Sequence, residues 1–304
     1  MSRVAARARG AQDARAAEPA DLARALEVVE YELGALAPGH LPGAHKGAAF
    51  GVAGKLAGFT TLLHRMDPRN IDPVTTRRAL SPIPLVRLYE ARVAIAVVAL
   101  VDLSASMGFR GCARRMAEAA RLVAALAYSA YRWGDRFALV GFADEVELVR
   151  PPRRAPEAAW DAGTALWFHE PAGRGWAALD AAIALLPRRR SLVFLVSDFH
   201  VDTALVDRAL AGLRRHEVVP AVLWDSAEAG DGLGTGWTEW VDPETGAAAR
   251  RWVRRGYGRR ARRTLEERRH ALEALFRRHD RTALFVCDRV DPAAVTRFFV
   301  SRRA

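Results

Sequence analysis

Ala99-Leu-Val-Asp-Leu-Ser-Ala-Ser-Met-Gly-Phe109, ALVDLSASMGF, is the stretch on which the reading of the whole chain turns. It closes an unbroken apolar run from Val93 to Val101, rich in Val, Ile and Ala. Such a run, bounded by polar residues, reads as a strand buried on both faces. Three oxygen-bearing side chains follow at every second position, Asp102, Ser104 and Ser106. A second run, SLVFLVSDF (191–199), has the same character and also ends in oxygens, at Ser197 and Asp198.

The segments around these two strands alternate between the two periodicities. Residues 112–133 form an expected long helix, with Met116, Leu122, Val123, Leu126 and Tyr131 on its apolar face. Residues 136–149 read as two strands around Ala143-Asp144, and Trp176 to Leu186 as a helix. A helix over 203–215 and a strand over 217–224 come next. A turn-rich insertion, 226–258, contains Pro243-Glu244-Thr245-Gly246, which suits a tight turn between short strands. A basic helix over about 260–279, a strand at 282–287 and a short helix from 292 end the chain. Buried strands alternating with helices imply an α/β fold of the Rossmann-like kind, a parallel-rich sheet with helices on both faces.

Ahead of this unit the pattern differs. Residues 1–17 are small and charged and read as a flexible tail. From Pro19 and Asp21, with Leu22, Leu26, Val29 and Leu33 at helical spacing, a helix is expected. Prolines 68, 73, 82 and 84 forbid a long helix in 44–92, which reads as an irregular arm or small β-subdomain. The expected organisation is therefore a tail (1–17), a helix and arm (18–92) and an α/β domain (93–304).

Composition limits the function classes. The chain has 304 residues, with 51% apolar and 27% charged residues, as a globular protein has. No apolar run approaches the roughly 20 residues that cross a bilayer. The N-terminus has no apolar segment of the kind a secretory signal needs. Cys112 and Cys287 stand outside any CxxC pattern, which suits a reducing, cytoplasmic setting. The net charge is +11, and ten arginines crowd residues 250–270 against Glu266 and Glu267. That segment is either the solvated side of a helix or a docking face for something acidic. Arg259, Arg260, Arg262 and Arg263 are its candidate docking residues.

At the strand mouths the chemistry also admits two readings. Serines after a strand often cap the next helix. Alternatively, alternation puts Asp102, Ser104 and Ser106 on one side of an extended chain, and Asp198 ends the second strand, both at the sheet's C-terminal edge, where α/β folds collect ligands. Two hydroxyls and two carboxylates suit a hard cation such as Mg²⁺, or Mn²⁺ or Ca²⁺, and leave a position open for a partner's carboxylate.

VDLSASM resembles the metal-ion-dependent adhesion site (MIDAS) of von Willebrand factor A (VWA) domains. A wider stretch, MDPRNIDPVTTRRALSPIPLVRLYEARVAIAVVALVDLSASMGF, with the later RRRSLVFLVSDF, resembles the DUF58 family. Asp67, Pro68, Arg69, Ile71, Asp72 and Arg77 match its arm motif. Asp102, Ser104, Ser106, Met107, Ser197 and Asp198 match its VWA-like site. Pro73 stands where the family usually has Trp, and Trp176 stands where a VWA site has a threonine ligand; Thr164 lies outside the matching segment.

The resemblance implies a non-enzymatic, chaperone-like adaptor with a VWA-like domain. It would act with a MoxR-type AAA+ ATPase on an unknown client, in complex maturation or metal-cofactor insertion. One subgroup resembles accessory proteins of methanol dehydrogenase maturation. Two alternatives stand beside it. A nucleic-acid or anionic-surface binder would use the arginine segment with Trp237, Trp240, Trp252 and Tyr257, although no nucleic-acid motif is present. A metal-dependent hydrolase would need Ser104 or Ser106 with a base such as His200, although no G-x-S-x-G elbow is present. The lack of a P-loop means that the chain is not itself the ATPase.

Overall fold

The computed structural model describes residues 42–64, 66, 68–229, 236–241, 248–253 and 257–301. The expected tail, the helix after Pro19 and Asp67 lie outside the described residues.

The arm is a small antiparallel pair, β1 (Pro42–Thr61) on β2 (Leu85–Val93), with several register shifts along β1. Between the two strands sits α1 (Pro73–Arg78). Pro73 occupies its first turn, where the missing N–H costs nothing. Asp72 caps it: its Oδ1 accepts from the backbone N–H of Val74 and Thr75, both at 3.0 Å. The other carboxylate oxygen accepts from Arg87 Nε on β2 at 2.9 Å. Arg69 lies in a 3-10 turn and Arg77 in the last turn of α1, both exposed. Of the arm motif, Asp72 therefore ties helix to strand, and Arg69 and Arg77 remain on the surface.

The main sheet has six strands in the order β10-β7-β6-β3-β4-β5. They are β3 (Ala96–Asp102), β4 (Arg136–Phe142), β5 (Val146–Arg153), β6 (Leu192–Ser197), β7 (Glu217–Trp224) and β10 (Leu284–Cys287). All neighbours are parallel except β5, which returns antiparallel from β4 through the turn at 143–145. The apolar run from Val93 is thus divided: Val93 ends the arm, and the core strand begins at Ala96. Asp135 fixes that start, its Oδ1 accepting from the N–H of Ile95 at 2.9 Å.

Alternation along the strands sorts the core into two layers. Val97, Ala99 and Val101 face α2 (Arg115–Trp133), α3 (Glu157–Trp167) and α7 (Pro292–Ser301). Val98 and Leu100 face α4 (Leu179–Ala184), α5 (Thr203–Gly212) and α6 (Tyr257–Arg278). At this packing, each fully buried Val or Leu contributes about 1.5–3 kcal/mol. α2 stops at Gly134, whose φ of +80° only glycine adopts without strain. The insertion forms a separate antiparallel pair, β8 (Gly236–Val241) with β9 (Ala248–Val253). The expected α/β architecture, helices on both faces included, is the one observed.

Candidate functional site at the switch point

β3 has β4 on one side and β6 on the other, and the chain proceeds outward from it in both directions. The crevice beyond the C-terminal ends of β3 and β6 is therefore the topological switch point, where such sheets place ligands. Asp102, Ser197 and Asp198 lie there, all fully buried.

Each group at the mouth has defined partners. Asp102 Oδ2 accepts from Trp176 Nε1 (2.8 Å) and Ser197 Oγ (2.7 Å), and Oδ1 accepts from the Ser104 N–H (2.8 Å). Burial raises the Asp102 pKa, and the charge of Asp198 adds to the rise; the three hydrogen bonds oppose it. The chain does not stay extended beyond Ser104, as alternation predicts; it closes into a 3-10 turn, Ala105–Gly108. Ser104 stands at the start of that turn but makes no side-chain cap. Its Oγ lies 3.1 Å from Ser106 Oγ. The four expected site residues are thus brought to one mouth, although the two aspartates are engaged with different partners.

Arg115, which no sequence pattern singles out, sits among them. It is the first residue of α2, and only 4% of its side chain is exposed. Nη1 donates to Asp198 Oδ2 (2.6 Å) and to the Ser106 carbonyl (2.8 Å). Nη2 is ion-paired with Glu228, in the 3-10 turn Ser226–Ala229 after β7. The guanidinium lies over the Phe109 ring, 5.0 Å from its centroid. Burial lowers the Arg115 pKa, against the opposing charges of Asp198, Asp225 and Asp102.

His200 Nε2 is 2.6 Å from Glu228 Oε2, and the imidazole stacks on Trp224. Burial lowers the His200 pKa. Asp225 is also buried, which alone would raise its pKa; bonds from the N–H groups of Cys112, Ala113 and Ala227 prevail and hold it low. Asp225, Asp288 and Cys112 bring their side-chain atoms within 4.8 Å of one another, a convergence of distant positions with no sequence signature.

Two further features shape the mouth. Phe199 turns the chain after Asp198 with a φ of +54°, costly for a bulky residue. It is held there by its N–H on Ser197 Oγ (2.8 Å), by Arg268 Nη2 on its carbonyl (2.6 Å), and by edge contacts with Trp176 and Phe276. The loop before α4 lies against the serines: the Ala105 N–H donates to the Gly173 carbonyl at 2.7 Å. Gly175, at φ +148°, then turns Trp176 into the core.

The cation implied by the MIDAS resemblance can be tested on this donor set. The two serine hydroxyls have the spacing of adjacent ligands in a Mg²⁺ octahedron, about 2.9 Å. The rest does not match. Both oxygens of Asp102 already accept hydrogen bonds, and Asp198 is spent on a guanidinium. Trp176 supplies a donor where a threonine would supply an oxygen, and Thr164 bonds back to Trp160 and Asp161 within α3. The residues as arranged do not fit a resident divalent cation.

The arginines of the basic segment divide by position. Arg259, Arg260, Arg262 and Arg263 are exposed on the first turns of α6, with Arg263 paired to Glu267. Arg268 instead clamps the loop after β6 through the Phe199 and Val201 carbonyls, and Arg269 pairs with Glu273 and lies over Phe285. Of the aromatic residues in that region, Trp237 and Trp252 form an exposed edge-to-face pair across β8 and β9.

A family model described as "Protein of unknown function DUF58" matches residues 66–274. The chain belongs to the DUF58 family. The match runs from the arm through the main sheet into α6, so arm and site belong to one family unit. No curated protein matches this DUF58 chain. Among solved structures it is similar to the conserved hypothetical protein BatB from Bacteroides thetaiotaomicron, at 11% identity and a TM-score of 0.38, covering 69% of this chain and 98% of that one. An aerotolerance-related membrane protein from Bacteroides fragilis NCTC 9343 is similar at 13% identity and a TM-score of 0.40, covering 68% and 98%. The SpRpn10 VWA domain is similar at 13% identity and 0.37, covering 69% and 95%. Among the described residues, no helix is long and apolar enough to cross a membrane.

Proposed function

We propose that this DUF58 chain is a non-catalytic VWA-like adaptor that works with a MoxR-type AAA+ ATPase on a client protein, in complex maturation or metal-cofactor insertion. One observation carries the non-catalytic part: among the described residues, the mouth holds a polar network centred on Arg115 and sets no base against a serine hydroxyl. The bond given to Ser104 Oγ is to Ser106 Oγ, and the nearby imidazole of His200 is engaged by Glu228. A hydroxyl without a base in reach is a weak nucleophile. The ATPase partnership is what family membership suggests, and the exposed arginines at the start of α6 supply a surface for an acidic partner.

The test is association of the full chain with a MoxR-type ATPase of the same genome, followed by biolayer interferometry in ATP and in ADP. Saturable binding that depends on nucleotide, together with a changed ATPase rate, is the expected result. Absence of binding in every nucleotide state sinks the partnership. Turnover of ester or phosphoester substrates that disappears in Ser104→Ala sinks the non-catalytic assignment.

A further inference from the structure

The same site carries an inference about its own electrostatics that does not rest on the ATPase reading. Four acidic side chains surround the mouth: Asp102 after β3, Asp198 after β6, and Asp225 and Glu228 after β7. Asp102, Asp198 and Asp225 are buried, and Glu228 nearly so. Carboxylates packed this closely repel one another, and burial removes the water that would screen them. A cation among them offsets part of that repulsion.

Arg115 is placed to do so. Its guanidinium bonds Asp198 directly, pairs with Glu228, and lies close enough to Asp102 and Asp225 for their charges to act on it. It also bonds the carbonyl of Ser106, within the Asp-x-Ser-x-Ser segment itself. The location is otherwise a poor one for an arginine. Arg115 is the first residue of α2, and the N-terminal end of a helix carries the positive end of its dipole. Burying a cation there is favourable only because the acids are fixed around it. Trp176 acts in the same direction: its indole N–H fills a lone pair of Asp102 that a cation would otherwise use.

We propose that Arg115 is the built-in cation of this site, in place of a divalent metal, so that the mouth holds its shape without Mg²⁺. The sequence keeps the serines and aspartates of a metal motif, while the guanidinium, held by Nη1 on Asp198 and the Ser106 carbonyl and by Nη2 against Glu228, supplies the positive charge. Any partner that docks at this mouth meets a guanidinium already engaged by Asp198 and Glu228 rather than an open coordination position.

The experiment uses the full chain and metal alone. Mn²⁺ is titrated by calorimetry and by electron paramagnetic resonance into wild type and into Asp102→Asn. Thermal unfolding is then measured for wild type, Arg115→Ala and Arg115→Lys, each with Mg²⁺ and with chelator. The wild type is expected to show no saturable Mn²⁺ binding to millimolar concentration, and the same Tm with Mg²⁺ and with chelator. Arg115→Ala, which leaves the acids unbalanced, is expected to unfold about 10 °C lower. Arg115→Lys keeps the charge but not the fork, and is expected to fall between the two. If Arg115→Ala yields no folded protein, the lysine variant and the wild-type titration decide. Saturable Mn²⁺ binding by wild type that is lost in Asp102→Asn overturns the proposal. So does a wild-type Tm in the folded Arg115 variants. No partner is present in any arm of the experiment, so failure here leaves the ATPase reading untouched.

Discussion

A single side chain can be legible in sequence while its role is not, and Trp176 and Asp72 show two forms of this. Trp176 is recognisable in sequence as a departure from the VWA pattern. What the sequence does not show is that its ring packs edge-on to Phe142 and Phe199 while its N–H bonds Asp102. Asp72 belongs to the arm motif and carries three hydrogen bonds, from Val74, Thr75 and Arg87. The backbone bond from Thr75 and the bond from Arg87 hold its pKa below the ordinary 3.8, at about 2. The sign of the pH effect follows. A depressed carboxylate binds fewer protons in the folded chain than in the unfolded one, so its stabilisation is present above pH 4 and is lost as pH falls through 2. Asp72→Asn keeps a capping oxygen and removes the charge. Urea midpoints of wild type and Asp72→Asn are therefore expected to differ near neutrality and to converge as pH falls from about 4 to 2. A pH-independent gap would mean that the carboxylate's charge contributes nothing there.

Among the elements, the loop before α4 sets how closely a second segment approaches the Asp-x-Ser-x-Ser turn. A Cβ built on Gly173 would lie 2.2 Å from the Ala143 Cβ, which no side-chain rotation relieves. Gly173→Ala must therefore shift this loop and strain the Ala105–Gly173 bond, at a cost of about 1–3 kcal/mol. A Cβ on Gly108, across the same mouth, meets nothing nearer than 3.9 Å, so Gly108→Ala is the control that keeps the wild-type urea midpoint. Equal midpoints for the two variants would refute the tight approach. Such contacts, between residues 30 apart, leave no mark in local sequence. The buried strands β3, β6 and β7 are plain in the sequence, because a long uninterrupted apolar run between polar flanks fits a strand covered on both faces. The helix α3 is not legible there: its buried face is made mostly of Ala158, Ala159, Ala162 and Gly163, too small to stand out as a periodic stripe. The end of the arm is also masked, since Val93 continues the apolar run and the start of the core strand is marked by long-range bonds at Ile95, to Asp135 and from the Arg136 N–H. Arg115 is hidden for the same kind of reason: its partners Asp198 and Glu228 lie far along the chain and are gathered only by the crossover order of the sheet.

For the whole molecule, a net charge of +11 sets the long-range field, and its distribution determines what that field does. Part of the arginine content is structural. Arg115 pairs with Asp198 and Glu228 at the mouth, Arg268 clamps the loop after β6, and Arg87 holds the arm to α1. Arg259, Arg260, Arg262 and Arg263 differ in being exposed and adjacent, on a helix whose other end is anchored by Leu272, Leu275 and Phe276. Charges placed this way accelerate encounter with an acidic surface more than they tighten the final complex. Replacing all four by Glu leaves the anchored end intact, and the exposed Arg263–Glu267 pair lost with them is worth about 0.3–0.5 kcal/mol. Association with the AAA+ partner is then expected to slow by roughly tenfold or more at low salt, with a smaller change in dissociation. Raising the ionic strength toward 1 M, where the screening length falls to about 3 Å, should bring the two association rates together. Equal rates at low salt would assign these arginines to solvation alone. A deficit that persists at high salt would mean instead that the four side chains make short-range contacts within the complex.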